Sequence, residues 1–386
     1  MIKLEKNKVI LWRADSAGCG WARIDLISKY LNRKYSDIFN TEPSQVMNPQ
    51  DWVTFDDKGV VKEIKYKLAV LQRQYGTPNL QNMFFLQDKL KVPCIYEIDD
   101  FLHGVHRLSS AHYAYNTETQ KDRFANIDSF LQKSTAVTVT TEYLKKMYSK
   151  YNKEIYVLPN SIDFEIYQDT ILTLREIERL KHKQNGEIWL GWAGSNTHLP
   201  DLLQAKDAVI QILRDFPQVK LALGGWDGSF HDKEGNIIAH ELNPWKDIPA
   251  NRKVVIPWAT DMKDYPKMLI NFDIGIAPLE DNTFNRCKSN IKFLEYSACG
   301  VPVIASDVDP YSNTITEGET GLLVKTKGCV FSDWYKKIKR LVLDEQLRLK
   351  LAENATSLVK RGFNIEKNID QWKDVYLDII RRGVNK

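Results

Sequence analysis

Residues 278–306 read PLEDNTFNRCKSNIKFLEYSACGVPVIAS, and the fold follows from this stretch. A polar segment ending in Lys288 runs into Ser289 and Asn290, which open a helix. The first amides of a helix lack partners inside it and sit at the positive end of its dipole. The backbone N–H groups of Ser289 and Asn290, with Lys288, therefore suit an anion such as a diphosphate. Glu295 falls near the helix C-terminus, where the dipole disfavours a carboxylate; a sugar diol donating two hydrogen bonds would account for it. Gly300 stops the helix, and Pro302-Val303-Ile304-Ala305 enters a buried strand. Helix, glycine stop and apolar strand form one unit of a parallel α/β sheet.

The pattern extends in both directions. Residues 187–192, 219–223, 254–256, 274–277, 301–305 and 322–324 are short apolar runs that read as strands, with helices at 202–215 and across 332–382. In the first half, residues 9–12, 82–86, 94–98, 136–139 and 155–158 read as strands. Helices are expected after residue 20 (Ile24, Ile27, Leu31), over 61–75 (Ile64, Leu68, Leu71) and over 141–150. A charged helix over 172–183 joins the halves. The fold class is α/β, with two Rossmann-like, doubly wound parallel-sheet domains facing across a cleft. The expected division is 1–165, 166–360 and a last helix in 361–386.

With 386 residues, 43% hydrophobic and 27% charged, the chain can build two cores. A net charge of +4 permits an acidic ligand without arguing for nucleic acid. Five cysteines, none in CxxC spacing, suggest neither a disulfide framework nor a zinc site. The apolar run near the N-terminus is too short for a signal peptide, and no run approaches the ~18–20 residues that span a bilayer. A cytoplasmic setting is expected. Basic stretches at 145–153 and 336–340 read as solvated helix faces or as contacts to the inner membrane face.

Further candidates lie after strands, where open parallel sheets place their ligands. Gly18 and Gly20, in DSAGCGWAR, let a backbone approach a ligand or simply make a tight turn; Arg23 reads as a phosphate contact or a solvated charge. Glu97, Asp99 and Asp100 end a strand, with His103 and His106 close behind; Asp99 and Asp100 are candidate catalytic or acceptor groups, or a helix cap. Gly194, Ser195 and Asn196, in GWAGSNTH, follow another strand and can hold an anion on backbone amides, Ser195 and Thr197 adding hydroxyls. Trp258 reads as a base-stacking residue or a core tryptophan, and Asn160 as a hinge residue.

The segment KSNIKFLEYSACGVPVIAS resembles the C-terminal signature of retaining glycosyltransferases of the family 4 type, which have the two-Rossmann GT-B fold. IYEIDD, VTVTTEYL, VLPNSID, GWAGSNTH and GETGLLV also resemble family segments, in the expected order. The resemblance implies transfer of a sugar from a nucleotide-diphosphate donor to an acceptor hydroxyl, with retention and without a metal or other cofactor. Glu295 becomes the second glutamate of the E-x7-E motif, on the donor ribose; Ser289 and Asn290 hold the diphosphate, Lys288 stabilises the leaving group, and Lys288 or Lys292 would stand in for the family's basic pair on the phosphates, which GWAGSNTH lacks. The first glutamate falls on Cys287, so Glu280, Asp281 or Asn285 would have to replace it. Asp99 stands where many relatives have histidine. The last helix, around Trp372 and Tyr376, is expected to cross back to the first domain. The acceptor is left open among a glycan, a lipid-linked sugar, a protein, a small molecule and modified nucleic acid, as is the oligomeric state. The rival readings are a nucleotide-sugar epimerase and a non-catalytic nucleotide-sugar binding protein.

Overall fold

The computed structural model describes residues 6–46, 48, 52–107, 109, 111–112, 122–167, 169–231, 237–238 and 240–384. A first parallel sheet holds β1 (Asn7–Trp12), β2 (Phe39–Ser44), β5 (Leu68–Gln72), β6 (Cys94–Glu97), β7 (Ala136–Val139) and β8 (Ile155–Val157), in the order β2-β1-β5-β6-β7-β8. The second holds β9 (Ile188–Gly194), β10 (Val219–Gly225), β13 (Lys253–Ile256), β14 (Ile274–Ala277), β15 (Val303–Ser306) and β16 (Leu322–Val324), in the order β13-β10-β9-β14-β15-β16. That second order is the doubly wound 3-2-1-4-5-6 arrangement. Hairpins β3 (Val53–Phe55) with β4 (Val61–Ile64), and β11 (Phe230–His231) with β12 (Ile237–Ile238), are insertions.

Each sheet is covered on both faces, so its central strands are apolar runs rather than alternating. On one side of the first sheet, Val9, Leu11, Leu68 and Val70 pack on the helices Leu26–Lys34 and Ile365–Val384; on the other, Ile10, Trp12, Ala69 and Leu71 pack on Thr77–Phe84 and Asp122–Lys133. The last helix thus lies on the first sheet, with Trp372 and Tyr376 buried there. In the second sheet, Leu190, Trp192, Leu221 and Ile274 meet Lys206–Asp215 and Val330–Leu343, while Ala193, Ala277 and Ala305 meet Ile291–Ala298.

Several local expectations are corrected. Residues 61–75 form β4 and β5, not a helix. The spacing of Ile64, Leu68 and Leu71 fits a helix, but Leu68-Ala69-Val70-Leu71 is a fully buried run, the mark of a central parallel strand. Residues 82–86 are helical, in Thr77–Phe84 and the turn Phe85–Lys89, not a strand. Gly76 and Pro78 start that helix, and Leu80, Met83 and Leu86 bury one face. The run at 254–256 is a strand, but at the sheet edge, and Val255 is half exposed. Residues 202–215 are two helices, Leu199–Leu202 and Lys206–Asp215. Strand β2 has no apolar signature, reading FNTEPS.

Candidate functional site

In the second sheet the chain leaves β9 to one side for β10 and returns to the other side as β14, opening a crevice at the carboxyl ends of β9 and β14. Strand β9 ends at Gly194, where a Cβ would stand 2.7 Å from the Trp192 ring and 3.0 Å from Lys292 Nζ. The small residue therefore lets Lys292 reach in and donate to the Ala193 carbonyl at 2.7 Å. Ser195 and the 3-10 turn Asn196–His198 follow, with the Ser195 and Thr197 hydroxyls bonded to each other at 2.7 Å. From β14 the loop enters the short helix Thr283–Cys287, capped by Asn282, whose side chain accepts from Asn285 N. Lys288 and Ser289 then lead to the helix Ile291–Ala298, with buried Asn290 at its cap donating to Thr314 Oγ1 at 2.9 Å.

The organiser of this crevice is Asp201, which sequence reading missed. It is buried and accepts from His198 Nδ1 (2.8 Å), Glu280 N (3.1 Å), Asn285 Nδ2 (2.6 Å) and Lys288 Nζ (3.2 Å). Burial alone would raise its pKa, but Lys288 and then His198 hold the carboxyl well below the usual range. Burial, with Lys288 and Lys292 adding to it, pushes His198 down to about 3, so the ring is neutral. Nothing in the spacing from Gly194 to Asp201 singles this aspartate out.

Glu295 and Lys292 lie one helical turn apart beside Tyr265, whose hydroxyl donates to Glu295 Oε2 at 3.2 Å. Burial raises the pKa of Glu295 and lowers that of Lys292, each opposing the other's shift. A diol on Glu295 needs the carboxylate, since the protonated acid loses acceptor capacity. Donor KM should therefore rise as pH falls through the raised pKa, well above the ~4.3 of an ordinary glutamate. Donor KM measured against pH should show this step in the wild type. Glu295→Gln should have a higher KM throughout and no step.

The first sheet has its own switch point, between β1 and β5. Gln72, at the end of β5, accepts from Ala14 N and donates to the Cys19 carbonyl, tying down the loop after β1. Asp15 Oδ1 accepts from Ala17 N and Gly20 N. A Cβ on Gly20 would stand 2.0 Å from the Asp15 carbonyl oxygen, so this glycine makes the turn; Gly18 is exposed, with open space on its Cβ side. Arg73 follows β5 in the left-handed region (φ 45°) and reaches Asp15 (3.2 Å), Asp99 (3.5 Å) and Asp100 (3.4 Å).

Arg23 is neither a phosphate contact nor a solvated charge. It is buried, pairs bidentately with buried Glu97 (2.7 and 3.1 Å), and donates to the Leu158 carbonyl and Asn160 Oδ1. Glu97 is therefore internal to the first domain. Asn160 Nδ2 donates in turn to Ser289 Oγ at 2.9 Å, so the entrance of the helix Ile291–Ala298 is linked to the first domain's core.

Other contacts bring the two switch points together. Thr141 Oγ1 donates to the Cys287 carbonyl at 3.1 Å, and His106 Nε2 lies 3.7 Å from Glu280 Oε2. Lys288 is close enough to Asp100 to lower its pKa, against the larger upward effects of burial and Asp99. Cys287 is fully buried within the first domain's core cluster. Of the three residues considered in place of a glutamate there, Asp281 pairs with Arg286 and Asn285 with Asp201, while Glu280 keeps a partly exposed carboxylate. Trp258 is not a core residue: it is 51% exposed and lies over Gly225, whose φ of +87° brings the backbone under the ring. His103 is turned away, bonded to Asp128 at 2.9 Å among aromatic rings. The cysteines are free thiols, and among the described residues no helix is long and apolar enough to cross a membrane.

Residues 176–358 match the family model described as glycosyl transferases group 1. The chain is 23% identical over 368 residues to N-acetyl-alpha-D-glucosaminyl L-malate synthase of Bacillus anthracis, covering 92% of this chain and 88% of that one. Among solved structures it resembles Anabaena HepE in complex with UDP-glucose, with a TM-score of 0.66 at 15% identity over 97% of this chain and all of that one. It also resembles the sucrose-phosphate synthase of Thermosynechococcus elongatus, with a TM-score of 0.65 at 15% identity over 98% of this chain and all of that one. The fold is GT-B. Together these matches support the GT-B fold and a likeness to glycosyl transferases group 1.

Proposed function

We propose that the protein is a retaining, metal-independent glycosyltransferase of the family 4 type, moving a sugar from a nucleoside-diphosphate donor to an acceptor hydroxyl. The observation that carries this reading is the crevice between β9 and β14, where Lys288, Lys292 and the first amides of the helix Ile291–Ala298 meet beside Glu295. The amides of Ser289 and Asn290 and the two lysines supply the positive charge that a departing diphosphate needs. Glu295 takes the ribose. The bond from the anomeric carbon to the diphosphate oxygen breaks, and the acceptor hydroxyl adds to that carbon from the same face. Its proton passes to the leaving phosphate oxygen. The exposed Gly18 leaves room for the donor, Gly194 lets Lys292 reach the crevice, and Ser195 and Asn196 border it; Asp99 and Asp100 meet the acceptor from the first domain. The relatives' names speak for transfer rather than epimerisation.

The test is a thermal-shift screen against nucleoside diphosphates, followed by NMR of the donor that fits, with and without acceptors. A ligand at 100-fold its Kd stabilises by about 2.7 kcal/mol. No shift with any nucleoside diphosphate would sink the reading, and conversion of the donor alone to an epimer would replace it.

Trp258 supports a donor-base contact, because half its surface is open beside the crevice. Trp258→Ala should raise donor KM about tenfold, a stacking loss near the low end of ~1–3 kcal/mol, and leave Tm nearly unchanged. An unchanged KM would assign the ring no part in binding.

A further inference from the structure

His198 is built into the crevice, yet the transfer step makes no use of it. Its Nδ1 (2.8 Å) and Lys288 Nζ (3.2 Å) converge on one oxygen, Asp201 Oδ2. The ring therefore stands beside the ammonium that awaits the diphosphate, at the end of the loop that leaves β9 after Gly194. Asp201 stays ionised against its burial, held by Lys288, and a carboxylate only accepts. The neutral ring thus carries its proton on Nδ1 and a bare lone pair on Nε2. That Nε2 has no partner among the described residues and is not among the nitrogens closed to solvent; the side chain is 20% exposed. The Trp192 ring stands edge-on to it, 6.2 Å between centres. Burial, then Lys288 before the helix Ile291–Ala298 and Lys292 in its first turn, outweigh Asp201 and keep the ring neutral in the free protein. A phosphate oxygen arriving at Lys288 meets the Nε2 lone pair, which repels it. The same anion offsets the two lysines and favours a charged ring.

Resting on the glycosyltransferase reading above, we infer that His198 is a further donor-binding residue that gains a proton as the diphosphate arrives. Solvent supplies the proton to Nε2, and the N–H so formed donates to a phosphate oxygen. Nδ1 keeps its bond to Asp201 throughout, which holds the imidazolium in place. The crevice gains a third cation only when there is an anion to receive it. Affinity is therefore added below the ring's pKa in the complex and lost as pH rises through it. Glu295 acts in the opposite direction. Lys292, whose proton the anion also holds, acts in the same direction, so the ring itself is the group to observe.

The experiment uses the full chain with its histidine rings nitrogen-labelled for NMR. The probes are UDP, GDP, ADP, CDP and dTDP, each beside its parent nucleoside, which lacks the phosphates. At neutral pH the His198 signal should show a bare Nε2 in the free protein and with nucleoside, and two protonated nitrogens with the diphosphate that binds. His198→Asn, whose amide can keep the donation to Asp201, assigns the signal. It should raise Kd for that diphosphate about tenfold, the loss of one charge-assisted hydrogen bond. His198→Gln, whose amide reaches the Nε2 position, confirms the assignment and should recover part of the affinity. A bare Nε2 in the diphosphate complex, or an unchanged Kd in His198→Asn, overturns the inference and leaves the diphosphate to the lysines and helix amides. If none of the diphosphates binds, the glycosyltransferase reading falls, and this inference with it.

Discussion

Lys288→Ala is expected to lower kcat for sugar transfer by about 10²–10³-fold, the loss seen when one preorganised charge-stabilising donor is removed from an active site. The lysine stands at the mouth of the helix Ile291–Ala298, 3.2 Å from Asp201 and 4.9 Å from the centre of the Phe284 ring. Those contacts hold the ammonium in place before any donor arrives, so little reorganisation is needed when charge builds on the departing diphosphate. The effect should fall on kcat more than on donor KM, because the diphosphate gains charge in the transition state. Asp201 keeps its bonds from His198, Asn285 and Glu280 N when the lysine is gone, so the variant should remain folded. Steady-state kinetics beside a melting curve check both halves of the expectation. Unchanged turnover in a folded Lys288→Ala protein would take the leaving-group role away from this residue.

The pattern of what could be read from the sequence follows from how local each signal is. The 278–306 stretch is legible because its polar loop, helix start, glycine stop and strand are consecutive, and each obeys a local rule. The Asp201 hub is not, since its partners lie between 3 and 87 residues away and only the fold assembles them. Arg23 and Glu97, 74 residues apart, misled for the same reason: Arg23 comes after one expected strand and Glu97 lies at the end of another, yet they neutralise one another beneath the site. Residues 61–75 failed because a spacing of i, i+4, i+7 fits a helix, and the burial of the intervening Ala69 and Val70 cannot be seen in the spacing. Cys287 departs from the family motif visibly, but only packing shows why a carboxylate is unsuited: the side chain is enclosed in the first domain's core.

Arg23→Leu is expected to destabilise the protein by about 3–5 kcal/mol, the cost of leaving one partner of a buried ion pair alone. This is a large share of the ~5–15 kcal/mol that holds a typical domain together. Arg23 and Glu97 are 1% and 0% exposed, and the guanidinium also carries the Leu158 carbonyl, Asn160 Oδ1 and a stacking contact 4.6 Å from the Trp372 ring centre. One substitution therefore loosens strand β6, the segment from Leu158 to Asn160 and the last helix together. Burial already raises the pKa of Glu97, opposed by Arg23 and Thr138. Without Arg23 that pKa rises further. A carboxyl with a raised folded-state pKa contributes stability below its unfolded value, about 4.3, and loses it as pH rises towards the folded value. The deficit of Arg23→Leu should accordingly be smaller near the unfolded pKa and larger at neutral pH. Removing both charges, as in Arg23→Leu with Glu97→Leu, should recover a good part of the loss, because no unpaired charge is left in the core. Denaturant melts of the single and double variants across pH measure all three expectations. A single variant as stable as the wild type at neutral pH would show that the pair does not anchor the first domain.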